Sequence, residues 1–375
     1  MPFDPLLTVA IPTRNRWDTL TVVVAAMLRS TEREFEILVQ DNSDKQGLQA
    51  LLPDDERLRY VHSRDPMNMH QNFDRAIELA KGHYVICLGD DDALRLDLTM
   101  PVLREAHARN FDAVLSALDS YYWPGLHHWH WGDVGGKLDA APRKTPPSQA
   151  TIDVSAELGR LMREGLTGGL GKLPRVYQGF ASRSALAKLR ERCGTCFPGA
   201  SPDMANAVGL STFVDQVLWD DRPLVVSGHS PKSGGGQGAA GLHHGRLEDQ
   251  SHLPATTIAN WNPAIPHFWS GRTIYAQSAC EALRASRYPD PPLLDPTRLY
   301  AACLIYEPKK YFFDILAASR HAPQAWPLTI FSTAGSAAAM FAQRAQKFLS
   351  NSMRRRIERG RDPTYASIGE VLPIA

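Results

Sequence analysis

The stretch Tyr84-Val85-Ile86-Cys87-Leu88-Gly89-Asp90-Asp91-Asp92 constrains this chain more than any other, because an apolar run of strand length ends in three consecutive acids. Adjacent carboxylates repel one another and packing has no use for them. A fold that keeps them together at a strand end gains from a bound cation. Carboxylate oxygens suit Mg²⁺ or Mn²⁺, and Mg²⁺ typically sits on one or two carboxylates, several waters and substrate phosphates, which predicts a nucleotide diphosphate. The competing reading is a solvated turn in which Asp92 caps the segment starting near Ala93.

The neighbouring sequence supports a site. Leu6 to Pro12 reads as a buried strand, followed by Thr13-Arg14-Asn15-Arg16 and an apolar-periodic helix over Leu20 to Leu28. Phe35 to Gln40 is a second strand ending at the polar turn Asp41-Asn42-Ser43-Asp44, and Leu58 to His62 a third. Gln71 to Ala80 carries Phe73, Ala76, Ile77 and Ala80 at helical spacing, closes with Lys81-Gly82 and feeds the acid-tipped strand. Strands alternating with helices predict an α/β fold, a mostly parallel sheet with helices on both faces. Ligands of such sheets bind beyond the carboxyl ends of the strands, where Thr13, Asp41 and Asp90 to Asp92 all fall.

Pro12-Thr13-Arg14-Asn15-Arg16, then Val39-Gln40-Asp41-Asn42-Ser43, then Asn68, Asn72, Ala76, Ala80-Lys81-Gly82 and Tyr84, then Leu88-Gly89-Asp90-Asp91-Asp92 resemble the family 2 glycosyltransferases of the GT-A (Rossmann-like) fold over about the first 115 residues. The resemblance implies that Pro12, Thr13 and Arg14 line the nucleotide and that Asp41 accepts from the base, usually uracil. It implies Asp90 near the ribose and diphosphate, with Asp91 and Asp92 as the DxD-type metal carboxylates. Gly89 stands where many members carry Asp, so which two of the three acids coordinate stays open. Asn68 and Asn72 match family positions, and a helix-entry Asn serves equally as a cap. GT-A enzymes often add a late histidine to the metal, which points to His229, His243 or His244, with His244 taken as the ligand.

Three regions are expected: 1–115 as the nucleotide-sugar half, 116–272 as an acceptor half with a Gly-rich loop at 227–245, and 273–375 as a C-terminal helical region. The aromatic and histidine run from Tyr121 to Trp131 offers stacking surface for a sugar ring, or is a hairpin whose rings fill a local core. His127, His128 and His130 lack the spacing of a zinc site. Gly168 to Leu173 lacks the P-loop pattern and a preceding strand, and carries no nucleotide signal. Asp203 follows Pro202 at the start of an apolar helix. Such an acid can simply offset the helix dipole; by the resemblance it is the acceptor-side general base. Lys232 and the glycines from Gly234 to Gly238 read as a lid that orders on nucleotide binding, or as a surface linker.

The final stretch, Ala337 to Arg359, is amphipathic and carries Arg344, Lys347, Arg354, Arg355, Arg356 and Arg359, with Arg361 beyond it. Such a helix can lie on anionic lipid, so peripheral membrane contact on the inner face joins the expectations, beside a solvated basic face on a packed helix. A net charge of +1 argues against a nucleic-acid binder. Five scattered cysteines, a first strand by Leu6 that leaves no room for a signal peptide, and the lack of a long apolar run predict a cytoplasmic protein. Cys193 and Cys196 read as ordinary helix-end packing.

The expected function is an inverting transfer of sugar, dependent on Mn²⁺ or Mg²⁺, from a nucleotide-sugar, most simply a UDP-sugar, to a hydroxyl of a glycan or lipid-linked acceptor in surface polysaccharide synthesis. Two rivals stand beside it. A nucleotidyltransferase would share the sheet and the acids but place a Gly-rich basic loop where this chain has Ile11-Pro12-Thr13-Arg14-Asn15. A non-catalytic sugar-nucleotide or glycan-binding module would need no base at Asp203.

Overall fold

The computed structural model describes residues 4–129, 132–239, 244–250, 253, 255–358 and 363–372. Its main sheet contains β1 (Leu7–Thr13), β2 (Phe35–Asp41), β3 (Leu58–His62), β4 (Tyr84–Cys87), β5 (Ala113–Tyr122), β6 (Gln149–Thr151), β7 (Phe180–Ser182) and β8 (Val217–His229). Across the sheet these run β6-β8-β5-β7-β4-β1-β2-β3. The block β4-β1-β2-β3 is parallel, β7 is antiparallel to both β4 and β5, and β8 runs parallel to β5. The mixed, mostly parallel sheet expected from the strand-helix alternation is therefore present.

Local chemistry explains the elements. Every residue of β1, β2 and β4 is buried, as two-sided helix cover requires and as their near-continuous apolar sequence allows. Helices α1 (Trp17–Met27), α2 (Met69–Leu79) and α3 (Leu96–Ala108) connect the first strands. Asn68 and Gln71 form a reciprocal capping box that starts α2. Gly82 is demanded by close approach, since a Cβ there would lie 2.4 Å from the backbone nitrogen of Thr8.

Beyond β5 come α4 (Val154–Arg163), α5 (Arg183–Cys193), α6 (Pro202–Ser211), the short α7 (Gly234–Ala239), α8 (Gly271–Ala285), α9 (Pro296–Tyr306), α10 (Phe312–Ser319) and α11 (Trp326–Glu358). One apolar cluster joins Leu158 and Leu161 of α4, Met204 and Val208 of α6, Ala276 of α8, Leu299 and Tyr300 of α9 and Ile315 of α10. A division at 272/273 would cut this core. The helices on both sides of residue 272 are one packed unit, because none of them can bury its apolar face alone. Residues 363–372 return to the sheet, where Ile368 and Val371 enter its core and Arg95 Nη2 donates to the Val371 carbonyl at 2.9 Å.

Three expectations change in detail. The last helix begins at Trp326 rather than Ala337; Arg359 and Arg361 lie outside the described residues. Part of the Gly-rich segment is helical, and two of its glycines are needed for contact rather than looseness. A Cβ at Gly235 would lie 2.7 Å from His229 Nδ1, and one at Gly236 would lie 1.8 Å from the Ser230 carbonyl oxygen. The aromatic run divides its work. Tyr121 and Trp123 are core residues, a small hairpin pairs His127–His128 with Gly132–Asp133, and Trp129 stays 64% exposed. His130 and Trp131 lie outside the described residues. The reading of Cys193 and Cys196 agrees with the structure: both are free thiols, Cys193 ends α5, and Cys196 is core.

Candidate active site

The carboxyl ends of β1 and β4 and the C-terminal end of β8 open into one cleft of about 1610 Å³, whose lining includes Pro12, Thr13, Arg14, Asp90 and Asp91 together with Tyr177, Asp203 and Tyr275. A pocket for one small ligand typically holds about 300–1,000 Å³, so this cleft has room for two.

The three acids do different things. Asp92 is turned into the protein, where its Oδ1 accepts from the Gly228 N–H at 2.7 Å and its Oδ2 from the Gly89 N–H at 2.9 Å, Gln178 Nε2 at 3.1 Å and the Tyr177 hydroxyl at 3.3 Å. It does not line the cleft, so the expectation of Asp92 as a metal ligand is corrected. Both its oxygens are committed to donors that hold the turn and the end of β8 together. Burial and the charge of Asp91 push the Asp92 carboxyl up, against the pull of these donors.

Asp90 and Asp91 face the cleft. Asp90 Oδ2 accepts from Thr13 Oγ1 at 2.7 Å, and Asp91 Oδ2 accepts from the Ser230 N–H at 2.9 Å. Burial raises the Asp90 carboxyl to about 6, with Arg16 pulling it back and Asp91 adding to the rise. The Arg16 guanidinium spans the pair, 2.7 Å from Asp90 Oδ1 and 3.1 Å from Asp91 Oδ2. Two carboxylates that together hold one cation fit a divalent ion completed by substrate phosphates. Among the described residues no group of three or more His, Cys, Asp or Glu side chains could hold a metal without such help. His229 and His244 both line the cleft; His243 lies outside the described residues. His229 is stacked on Tyr122 at 5.2 Å between ring centroids, and burial lowers its basicity.

Asp41 is corrected too. It is fully buried, its Oδ1 accepting from the Ser43 N–H at 2.8 Å and its Oδ2 from the Tyr60 hydroxyl at 2.9 Å. It shapes the turn after β2 and presents no oxygen to a base. Arg14 lies at the cleft and reaches Asp44 at 3.0 Å. Asn68 is the cap of α2, accepting from the Gln71 N–H at 2.9 Å while lining the cleft. Asn72 is buried, donates to the Thr13 carbonyl at 3.2 Å, and leaves its Oδ1 without a partner. An unpaired buried acceptor in a cleft wall is what a ligand donor would satisfy.

Asp203 lies in the first turn of α6, where Pro202 supplies the N1 position. Its Oδ1 accepts from the Met204 N–H at 2.8 Å and from Ser201 Oγ, and its Oδ2 accepts from the Tyr275 hydroxyl. The dipole reading and the acceptor-side reading are both compatible with this place, since the side chain faces the cleft from a helix start.

Tyr275, Gln178 and Gly228 have no role in the sequence reading, and Arg16 enters it only as the end of the run Pro12 to Arg16. Gly228 has a strict steric reason, as a Cβ there would fall 1.7 Å from the Asp91 carbonyl oxygen. A glycine followed by a histidine at a strand end was the only available signal.

Residues 8–152 match the family described as Glycosyl transferase family 2. Over 120 residues the chain is 24% identical to the glycosyltransferase GlyG of Streptococcus pneumoniae serotype 4, covering 31% of this chain and 40% of that protein. Over 115 residues it is 29% identical to the GalNAc(5)-diNAcBac-PP-undecaprenol beta-1,3-glucosyltransferase of Campylobacter jejuni, covering 28% of this chain and 37% of that protein. The chain thus spans about two fifths of the length of the curated relatives it matches. In three dimensions it resembles residues 1–349 of S. aureus TarS in complex with UDP-GlcNAc, with a TM-score of 0.50, 12% identity, and coverage of 91% of this chain and 92% of that one, a likeness of fold. The strand-end acids and all but the first residue of the parallel block that carries them lie within residues 8–152, the stretch that matches glycosyl transferase family 2, and the chain has a GT-A fold.

Proposed function

We propose that the protein is an inverting glycosyltransferase that moves a sugar from a nucleotide-sugar, most simply a UDP-sugar, to a hydroxyl of a glycan or lipid-linked acceptor. The observation that supports this reading is that Asp90, Asp91 and Asp203, far apart in sequence, line one cleft. The donor diphosphate lies at the acid pair beside Thr13 and Arg14. Asp203, held in orientation by Tyr275 and Ser201, takes the proton of the acceptor hydroxyl. The acceptor oxygen bonds to the anomeric carbon as the bond from that carbon to the diphosphate breaks, and the electron pair leaves on the phosphate oxygen. One displacement inverts the anomeric centre. A Mn²⁺ or Mg²⁺ ion on Asp90 and Asp91 would neutralise charge on the leaving diphosphate.

The aromatic residues Phe73, Trp129, Tyr177 and Tyr306 line the same cleft, and aromatic rings suit the apolar faces of sugars. The Campylobacter relative is named for an undecaprenol-linked glycan, which favours a lipid-linked acceptor and a role in surface polysaccharide synthesis. No helix among the described residues is long and apolar enough to cross a membrane. From Ala322 to Gln343 the sequence holds no Asp, Glu, Lys or Arg, and then Arg344, Lys347, Arg354, Arg355 and Arg356 follow against Glu358. Phe313 and Phe331 are 77% and 79% exposed. An apolar face followed by basic residues suits peripheral contact with anionic lipid.

The test is a panel of UDP-, GDP-, CMP- and dTDP-sugars with and without Mn²⁺, read by thermal shift and by release of nucleoside diphosphate. A UDP-sugar should raise the melting temperature by mass action and be consumed in the presence of acceptor. A panel in which no donor shifts melting overturns the reading.

A further inference from the structure

Arg16 precedes α1 and sits across the acid pair, with Nη1 at 2.7 Å from Asp90 Oδ1 and Nη2 at 3.1 Å from Asp91 Oδ2. Its Nη2 also donates to Ser230 Oγ at 2.7 Å, so one guanidinium joins the ends of β1, β4 and β8. The side chains of Asp90 and Asp91 are only 3% and 4% exposed, whereas that of Arg16 is 23% exposed. The arginine therefore stands between the two carboxylates and the open cleft. Two buried carboxylates without a counter-charge are costly, and a guanidinium is weakly hydrated, always charged and able to bridge two oxygens.

We infer that Arg16 is an internal counter-cation occupying the place of the divalent ion, so that the ion enters the acid pair only together with a nucleoside diphosphate. A free aqua ion must break two charge-assisted contacts and the Ser230 contact, and it offers the displaced guanidinium nothing in return. A diphosphate offers that guanidinium an equivalent anionic, bidentate partner. Metal and nucleotide then bind with positive coupling, and each raises the affinity for the other by the same factor. The inference rests on the proposed binding of a nucleoside diphosphate in this cleft, but its first readout needs no donor and no transfer.

The experiment measures Mn²⁺ binding to the full chain by electron paramagnetic resonance, with and without UDP. Without UDP, wild type should bind Mn²⁺ at least tenfold more weakly than Arg16→Gln, and Arg16→Lys should stay weak because it keeps the positive charge. UDP should tighten Mn²⁺ binding at least tenfold in wild type and less than threefold in Arg16→Gln. The double variant Arg16→Gln with Asp91→Asn should lose the gain. Equal Mn²⁺ binding by wild type and Arg16→Gln without UDP overturns the inference, as does a gain that survives in the double variant. Should Arg16→Gln fail to fold by circular dichroism, Ser230→Ala removes one of the three guanidinium contacts, and its Mn²⁺ affinity without UDP should rise severalfold; no rise overturns the inference. A protein that shows this Mn²⁺ pattern yet transfers no sugar refutes the proposed activity and leaves the role of Arg16 standing.

Discussion

The phenol of Tyr275 donates to Asp203 Oδ2, tying α8 to the first turn of α6 at the wall of the cleft. Burial and the neighbouring Asp203 charge push the Tyr275 hydroxyl far above the ordinary phenol range, so it stays a donor at any working pH. Under the proposed function, a carboxylate fixed in this way is held in one orientation at the cleft to accept the proton of an acceptor hydroxyl.

Asp203→Asn should therefore lower kcat by about 10²–10⁴-fold, the usual yield of a general base, with donor affinity unchanged. Tyr275→Phe removes only the orienting hydrogen bond and should lower kcat about tenfold, equivalent to about 1.4 kcal/mol of barrier. Saturation kinetics together with donor calorimetry separate these outcomes. Native turnover in Asp203→Asn would reduce Asp203 to a helix-start acid.

Asp92 and Asp91 should part company under mutation. Asp92→Ala strips the Gly228 and Gly89 N–H groups of their acceptor inside the protein, which costs about 1–3 kcal/mol for each buried unpaired group. Asp91→Ala strips only one backbone N–H, that of Ser230, of its acceptor, so it should cost less stability than Asp92→Ala, while abolishing Mn²⁺-dependent nucleotide binding as read by calorimetry. Chemical denaturation of both variants is the measurement, and an Asp92→Ala protein as stable as wild type would contradict the assignment.

Asp41 lies within the turn it organises, so its loss should appear in stability. Asp41→Ala leaves the Ser43 N–H and the Tyr60 hydroxyl without their acceptor and should cost about 1–3 kcal/mol of folding free energy, while UDP affinity stays within about threefold. A large selective loss of UDP binding in a stable variant would return base recognition to Asp41.

The pH dependence follows from Asp90. Its carboxyl is raised to about 6 by burial, whereas an unfolded Asp titrates near 4. The folded protein therefore retains a proton that the unfolded chain has released. That contribution to stability is complete below about pH 4 and is lost as pH rises through about 6. Binding of Mn²⁺ with UDP runs the opposite way, since the ion needs the ionised carboxylate. Its affinity should fall about tenfold for each pH unit below about 6, and a flat calorimetric profile from pH 5 to 7.5 would exclude Asp90 from the ion site.

Phe313→Ser with Phe331→Ser should reduce co-sedimentation with phosphatidylglycerol vesicles at least fivefold while leaving transfer to a soluble acceptor unchanged. Both side chains are largely exposed, and neither lines the cleft. Equal sedimentation with neutral phosphatidylcholine vesicles would remove the charge part of the argument.

Much of this molecule is written locally. The strand β3 falls on Leu58 to His62 as its pattern predicts, and β1, β2, β4 and α2 differ from expectation by a residue or two at their ends. Strand-helix alternation fixed the parallel block, and the carboxyl ends of its strands fixed where Thr13, Asp90 and Asp91 would gather. Those are consequences of period and order along the chain, and they need no long-range knowledge.

The chain alone could not say which way each acid turns. Consecutive residues in a turn point in different directions, and the choice among Asp90, Asp91 and Asp92 is made by partners far along the sequence: the Gly228 and Ser230 N–H groups at the end of β8 and the side chain of Gln178. Asp41 was drawn inward by Tyr60 from a neighbouring strand, and Arg16 was drawn across the acids by charges on another. The joint core of α4, α6, α8, α9 and α10 likewise exists only once these helices meet. Sequence period places a residue on an element; the orientation and pairing of a buried charge are settled by whichever distant donor or counter-charge the fold brings within about 3 Å, because an unpaired buried charge costs more than any local preference can supply.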